Sequence, residues 1–249
     1  MKGSDSFLTL GSLNIEKGKH SDYCLPALRI HDFDTLFLQE VIQDDMPLIA
    51  AALGLKGYFA PMGFVRESTE LMGLAVFAKE GMIITYDEYY YIGQGKGIYT
   101  HLSREKNYVG KSVLQSVRVE KDGIGYDVAH THFPWTPDGF PTPVQFECMP
   151  KVLQRAKERK MVLCGDLNAP RTLPDGTPGQ IWAMLEDEFC DNIPKDVTST
   201  LDPNLHRAKP LALVVDALFT PSCYRAFDVA LISDLSDHLL IRAKLRAVV

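Results

Sequence analysis

The chain has 249 residues, 46% hydrophobic and 23% charged, with 26 Lys and Arg against 32 Asp and Glu for a net charge of −6. That composition is ordinary for a globular protein and excludes collagen-like, coiled-coil and intrinsically disordered chains. The acidic balance argues against a protein that holds nucleic acid by bulk charge alone, but leaves room for an enzyme that touches a phosphate backbone briefly.

Apolar runs of strand length recur at residues 7–15, 34–38, 73–78, 82–91, 113–119, 124–133, 161–164, 211–219, 223–231 and 239–243. Several are rich in Val, Ile, Tyr and Phe, which pack well on a pleated, half-buried surface. Between them, helices are expected at 22–30, 45–53, 144–160 and 177–186. The third is the clearest: Val144, Met149, Val152, Leu153 and Ala156 form one apolar stripe. Arg155, Lys157, Arg159 and Lys160 crowd its end, where the helix dipole favours cations, and read as a solvated basic turn ahead of a nucleic-acid patch.

No repeat or linker divides the chain, so one domain over 1–249 is expected. Strands outnumber helices without strict βαβ alternation, which fits a TIM barrel or Rossmann sheet poorly. The expected class is α/β (α+β), with two packed mixed β-sheets flanked by helices. No apolar run approaches the roughly 20 residues that span a bilayer. Residues 1–5 carry no basic stretch leading into an apolar one, and Cys24, Cys148, Cys164, Cys190 and Cys223 are scattered without a C-x-x-C pair. Reduced thiols in a cytoplasmic protein without membrane insertion are therefore expected.

Chemistry is expected where polar residues interrupt or end the apolar runs. Leu36-Phe37-Leu38 ends in Gln39-Glu40, and Met161-Val162-Leu163-Cys164 ends in Gly165-Asp166-Leu167-Asn168. Asp216 sits inside an apolar run, and Ser236-Asp237-His238 leads directly into Leu239-Leu240-Ile241. A carboxylate buried in a strand is costly unless something pairs with it, so this recurrence points to acids that converge on shared partners. His130 and His132 fall on one face of a regular strand, but no third His or Cys nearby completes a zinc set. Carboxylate and amide oxygens dominate the candidates and suit a hard cation such as Mg²⁺.

Leu13-Asn14-Ile15, Leu38-Gln39-Glu40, Thr131-His132-Phe133, Gly165-Asp166-Leu167-Asn168, Val215-Asp216-Ala217-Leu218-Phe219 and Ser236-Asp237-His238 follow one another in order. Together they resemble the motifs of the endonuclease/exonuclease/phosphatase superfamily, the group with the deoxyribonuclease-like fold. The resemblance implies a four-layer α/β sandwich, a site at one rim of its two central sheets, and Mg²⁺- or Mn²⁺-dependent hydrolysis of a phosphoester. It implies Glu40 as the main metal ligand, Asn14 close by, and Asp237 as a metal-supporting carboxylate. Asp166 is similar to the residue that orients or deprotonates the attacking water, and Asn168 to its amide partner. Asp216 and His238 resemble the family's Asp–His pair, and His132 the donor to a phosphate oxygen. Either Asp166 or the Asp216–His238 pair is able to take the water's proton.

The leading expectation is a phosphodiesterase acting on nucleic acid, with no obligate protein partner. A phospholipid, sugar phosphate or other small phosphoester is the alternative substrate. A non-catalytic scaffold is disfavoured because Glu40, Asp166, Asp216 and His238 are all present. Trp135, soon after His132, is a candidate for stacking on a base or for packing against the core. Arg171 and Arg104 are candidate substrate contacts, as are His206 and Arg207.

Overall fold

The computed structural model describes residues 6–65, 68–93, 110–207 and 212–248. In chain order they form β1 (Leu8–Asn14), α1 (Ser21–Ile30), β2 (Thr35–Ile42), α2 (Met46–Leu53), β3 (Lys56–Phe64), β4 (Leu71–Ala78), β5 (Ile83–Ile92) and β6 (Ser112–Lys121). The second half adds β7 (Ile124–His132), α3 (Pro143–Glu158), β8 (Val162–Asp166), α4 (Gln180–Glu186), β9 (Cys190–Asp191), β10 (Asp216–Thr220), β11 (Tyr224–Ile232) and β12 (Leu240–Ala247). Two six-stranded sheets result, ordered β11-β12-β1-β2-β4-β3 and β5-β6-β7-β8-β10-β9.

Each sheet has one parallel pair at its centre, β1 with β2 and β7 with β8, flanked by antiparallel strands. Leu8, Leu10, Phe37 and Val76 of the first sheet share a core with Val117, Val128, Val162 and Leu218 of the second. On the outer face of the first sheet, α1 buries Cys24, Leu25 and Leu28 against Leu36 and Leu38. On the outer face of the second, α3 lays down Met149, Val152 and Ala156, and α4 packs Trp182 against Phe219 with ring centroids 5.2 Å apart. The layers are thus helix, sheet, sheet, helix, as the mixed pattern of strands and helices implies.

Local chemistry sets the boundaries. α3 starts on a capping box in which the Thr142 hydroxyl accepts from the Gln145 amide and the Gln145 side chain accepts from Thr142. Its basic end is paired rather than free: Arg155 and Arg159 both reach Asp87, and Lys157 reaches Glu188. α4 begins at Gln180 instead of 177, because Pro178 still pairs in an isolated bridge with Thr172. The expected strand over 211–219 is regular only from Asp216. Before it, the Leu213, Val214 and Val215 carbonyls accept from Thr200, Arg171 and Leu167, an irregular lacing that replaces a ladder. β3 is a strand that periodicity does not announce, since Gly57, Pro61 and Gly63 interrupt it. It pairs only with β4, along the sheet's edge and with a bulge between Pro61 and Gly63, where proline is tolerated.

At the sheet ends opposite the candidate site, Asp34 ties both layers together. Its buried carboxylate accepts from the Thr9 amide at 2.8 Å, Lys121 Nζ at 2.5 Å and Lys79 Nζ at 3.2 Å. Burial pushes this carboxyl up, but the two lysines and the amide outweigh burial and hold it below the ordinary range. Replacing Asp34 with Ala strands the Thr9 N–H and is expected to cost on the order of 2–3 kcal/mol of stability. Urea unfolding is the check: a loss below half a kcal/mol would show that the clamp carries no weight.

Candidate active site

Strand alternation builds the site from the sheet interface outward. Side chains two apart share a face, so β1 turns Leu10, Ser12 and Asn14 toward the opposite sheet. β7 does the same with Val128, His130 and His132, and β8 with Val162, Cys164 and Asp166. Each series runs from apolar, through small or neutral polar, to a group of catalytic type. The parallel strands β1, β2, β7 and β8 end at the same rim, where the antiparallel strands β10 and β12 begin. Asn14, Glu40, His132 and Asp166 therefore meet Asp216, which opens β10, and His238, two residues before β12. Crevices outside the carboxyl ends of parallel strands are the usual ligand sites of such sheets.

Glu40 departs from that alternation. Gln39 already points into the interface, so a regular β2 would send Glu40 to the helix side. A bulge between Leu38 and Val41, with Glu40 at φ +56°, re-aims it to the rim. Asn168 is also at positive φ, +46°, and its amide closes a turn on Asp166 Oδ1 at 2.8 Å. Such conformations cost about 1–3 kcal/mol each and persist where surrounding structure over-determines them. Gly165 is obligatory for a related reason: at φ +116°, a Cβ there would lie 2.2 Å from the Thr131 carbonyl oxygen.

Asp166 Oδ2 is the hub. It accepts from Asn14 Nδ2 at 3.2 Å across the sheet interface, with His132 Nε2 at 3.5 Å and His238 Nε2 at 3.8 Å. His132 Nε2 also lies 3.9 Å from Glu40 Oε1. On its far side, the His238 ring places Nδ1 2.8 Å from Asp216 Oδ2. Thr200 fixes this pair, since its hydroxyl accepts from the Asp216 amide at 3.0 Å and its carbonyl from the Leu239 amide at 2.7 Å. Burial alone would lower the His238 imidazole, but Asp216 and Asp166 outweigh it and raise the group to about 10. His238 is consequently an imidazolium at neutral pH.

Beneath the rim lies a neutral polar shelf. His130 Nδ1 faces Gln39 Nε2 at 3.1 Å, its Nε2 bonds Gln115 Oε1, and Gln115 in turn donates to Tyr86 Oη at 3.1 Å. Burial drives His130 down to about 3, so it stays uncharged and links the two sheets.

The acids at the mouth are suited to a cation. Burial, with Glu16 and Glu40 adding to it, raises the Asp237 carboxyl against the pull of His238. Burial pushes Glu40 up as well, but His132 and Lys17 outweigh it and hold Glu40 low, with Lys17 Nζ 2.7 Å from its carboxylate. Mutually opposed oxygen donors of this kind fit a hard dication. Asp166, Asp216 and His238 also offer ligand atoms within 4.8 Å of one another, but Asp216 and His238 are already bonded to each other.

Other candidates fall differently. The Arg171 guanidinium donates to the carbonyls of Ile193, Pro194 and Val197 and pairs with Asp191, which pins a surface loop. Arg104 lies outside the described residues, as do Lys96 and Lys106. Trp135 is half-buried on a segment anchored beside the site, where Gln145 Nε2 donates to Pro134 O at 2.7 Å and Asn168 Nδ2 to Phe133 O at 3.0 Å. Lys17, Thr200 and Gln115 carry no motif-level signal in the sequence, whereas Gln39 and His130 of the shelf stand one and two residues ahead of Glu40 and His132.

The charge on His238 is directly testable. Because its folded value lies above the unfolded one, its stabilisation is complete below about pH 6.5 and is lost as pH rises toward about 10. Asp216→Asn removes the largest opposing charge, and an NMR titration of the metal-free protein should then find His238 more than one unit lower. An unchanged titration would show that Asp216 does not hold the ring's proton.

Comparison with models of protein families and with curated protein sequences finds no match. Solved structures do match. An endonuclease/exonuclease/phosphatase from Bacteroides vulgatus aligns over 98% of this chain and 100% of its own, with a TM-score of 0.72 at 13% identity. The human Nocturnin catalytic domain, solved with a bound sulfate anion, aligns over 97% and 95%, with a TM-score of 0.66 at 14% identity. A mannosyl-6-phosphatase from Bacteroides thetaiotaomicron aligns over 96% and 99%, with a TM-score of 0.64 at 16% identity. The fold of this chain is that of the endonuclease/exonuclease/phosphatase superfamily.

Proposed function

We propose that the chain is a divalent-metal-dependent phosphoesterase, and that its substrate is a nucleic-acid phosphodiester. The observation that carries this reading is the convergence on Asp166 Oδ2 of Asn14, His132 and the Asp216-bound His238, with Glu40 beside them. Phosphoester hydrolysis needs charge on the equatorial oxygens neutralised, a water held in line and a leaving group assisted.

Glu40 and Asp237 would hold Mg²⁺ or Mn²⁺, with Asn14 alongside. The ion supplies charge neutralisation at the phosphoryl oxygens and support for the departing alkoxide. The chain's own groups do the rest. His238, already protonated, donates to a phosphoryl oxygen, and Asp216 keeps its ring charged and oriented. Asp166, on whose Oδ2 the donors of the rim converge, takes the water's proton. Asn168 fixes the Asp166 carboxylate through its backbone amide, while its side-chain amide holds the Phe133 carbonyl next to His132. His132 faces the same phosphoryl group as a second donor.

Trp135, half-buried on a segment anchored beside the site, is the residue we assign to stacking on a base, which favours nucleic acid as substrate. The net charge of −6 keeps small phosphoesters as the second reading, and one structural neighbour is a mannosyl-6-phosphatase. Among the described residues no helix is long and apolar enough to cross a membrane. We place the protein in the cytoplasm, on the strength of cysteines that are scattered and mostly buried.

The test is hydrolysis, with Mg²⁺ and with Mn²⁺, of single- and double-stranded DNA, RNA, an aryl phosphodiester, a sugar phosphate and a phospholipid. Glu40→Ala is expected to lower turnover by roughly 10²–10³-fold with the fold intact. Failure to hydrolyse any of these esters would overturn the assignment, and near-normal turnover in Glu40→Ala would remove Glu40 from the centre.

A further inference from the structure

The segment over residues 200–207 has no regular structure beyond one bridge, yet it is tightly built. Asp202, 1% exposed, accepts from the amides of Asn204 at 2.8 Å and Leu205 at 2.9 Å with one oxygen, and from the amide of Asp234 at 2.7 Å with the other. Its own amide donates to the Asp237 carbonyl at 2.9 Å, and its carbonyl accepts from the His206 amide at 3.1 Å. Leu201 forms an isolated bridge with His238. The backbone is thereby tied to both residues that precede β12, without any help from the His206 side chain.

That side chain is nevertheless placed with care. The His206 ring stands edge-on to His238, with centroids 6.3 Å apart and planes at 80°. Its Nδ1 is buried and has no hydrogen-bond partner among the described residues. Burying an imidazole nitrogen without a partner costs free energy that a purely structural residue gains nothing by losing. Next to it, the Arg207 guanidinium is 74% exposed and lies 3.0 Å from Glu16, which Lys19 at 3.2 Å and His20 at 3.4 Å also approach. Glu16 is only 12% exposed, but it keeps Lys19 and His20 as partners if the exposed Arg207 turns to another anion. A phosphate in its place would meet the guanidinium's parallel donors, the stronger arrangement.

We propose that His206 and Arg207 form a second phosphate-contacting subsite beside His238, one that selects substrates carrying a further anionic group next to the scissile ester. This rests on the reading of the centre as a phosphoesterase and narrows its substrate class. The subsite lies where the His206 ring borders His238 and the Arg207 guanidinium meets Glu16, just beyond the end of β1.

Two measurements separate the subsite from the reaction. The first is the ratio of kcat/KM for a short oligonucleotide to that for bis(p-nitrophenyl) phosphate, which has a single phosphate, in the Mg²⁺-loaded protein. His206→Ala and Arg207→Ala should each lower this ratio about tenfold, equivalent to about 1.4 kcal/mol. The second is binding of a fluorescein-labelled hexanucleotide in Ca²⁺, read by polarisation, with Kd expected to rise about tenfold in each variant. Unfolding midpoints identify any misfolded variant, and the exposure of Arg207 makes that substitution safe for the fold. Equal losses on both esters, an unchanged Kd in folded Arg207→Ala, or a wild type that prefers the aryl ester would each overturn the subsite. A wild type that binds the hexanucleotide as expected but hydrolyses nothing would sink the phosphoesterase reading and leave the subsite standing.

Discussion

Asp166 is where the two sheets close on one atom. Its Oδ2 accepts from Asn14 of one sheet, faces His132 of its own, and lies toward His238 from the entry to β12. A buried carboxylate without partners would surrender its charge. Here Asn14 donates to the carboxylate from the opposite sheet, the Asn168 amide closes on its other oxygen, and two imidazoles face it. Move the register of any of these strands by one residue and the hub loses its partners.

Such convergence demands rigidity from what lies beneath, and the polar shelf supplies it. His130 remains neutral because burial suppresses its charge, and its two nitrogens engage Gln39 and Gln115 from opposite sheets. Gln39 and Gln115 hold the ring from opposite sides, while the Gln39 side-chain oxygen has no partner among the described residues. The shelf fixes how the strand ends sit relative to one another, while Thr200 and Asp202 fix the irregular segments that deliver Asp216 and His238. At the rim, Glu40 and Asn168 take left-handed conformations, as do Glu16 and Lys17 beside them, and the bulge at Glu40 brings its side chain to a place that regular backbone would not.

Much of this was legible in the letters. Apolar runs ending in Gln39-Glu40 and Gly165-Asp166 mark strands whose last residues leave the core, and Val144 to Ala156 marks a helix that packs where expected. The six motifs in order anticipated the sandwich, and the structure brings Asn14, Glu40, His132, Asp166, Asp216 and His238 to one rim. The rest depended on tertiary context. Proline and glycines conceal β3, because an edge strand tolerates what a central one does not. Arg171 carries the same letter whether it meets substrate or loop carbonyls, and only the fold shows the latter. The bulge that turns Glu40 leaves no trace in an alternation pattern that breaks off there.

On the proposed function, the acids at this rim hold a divalent ion beside Asp166. Anomalous diffraction from a crystal soaked in Mn²⁺ tests it without reference to any substrate. The expected result is a single strong peak in contact with a Glu40 oxygen and within reach of Asp237, with the Lys17 ammonium displaced from Glu40. No peak at that rim, or one bound only at surface carboxylates away from Glu40, would contradict it.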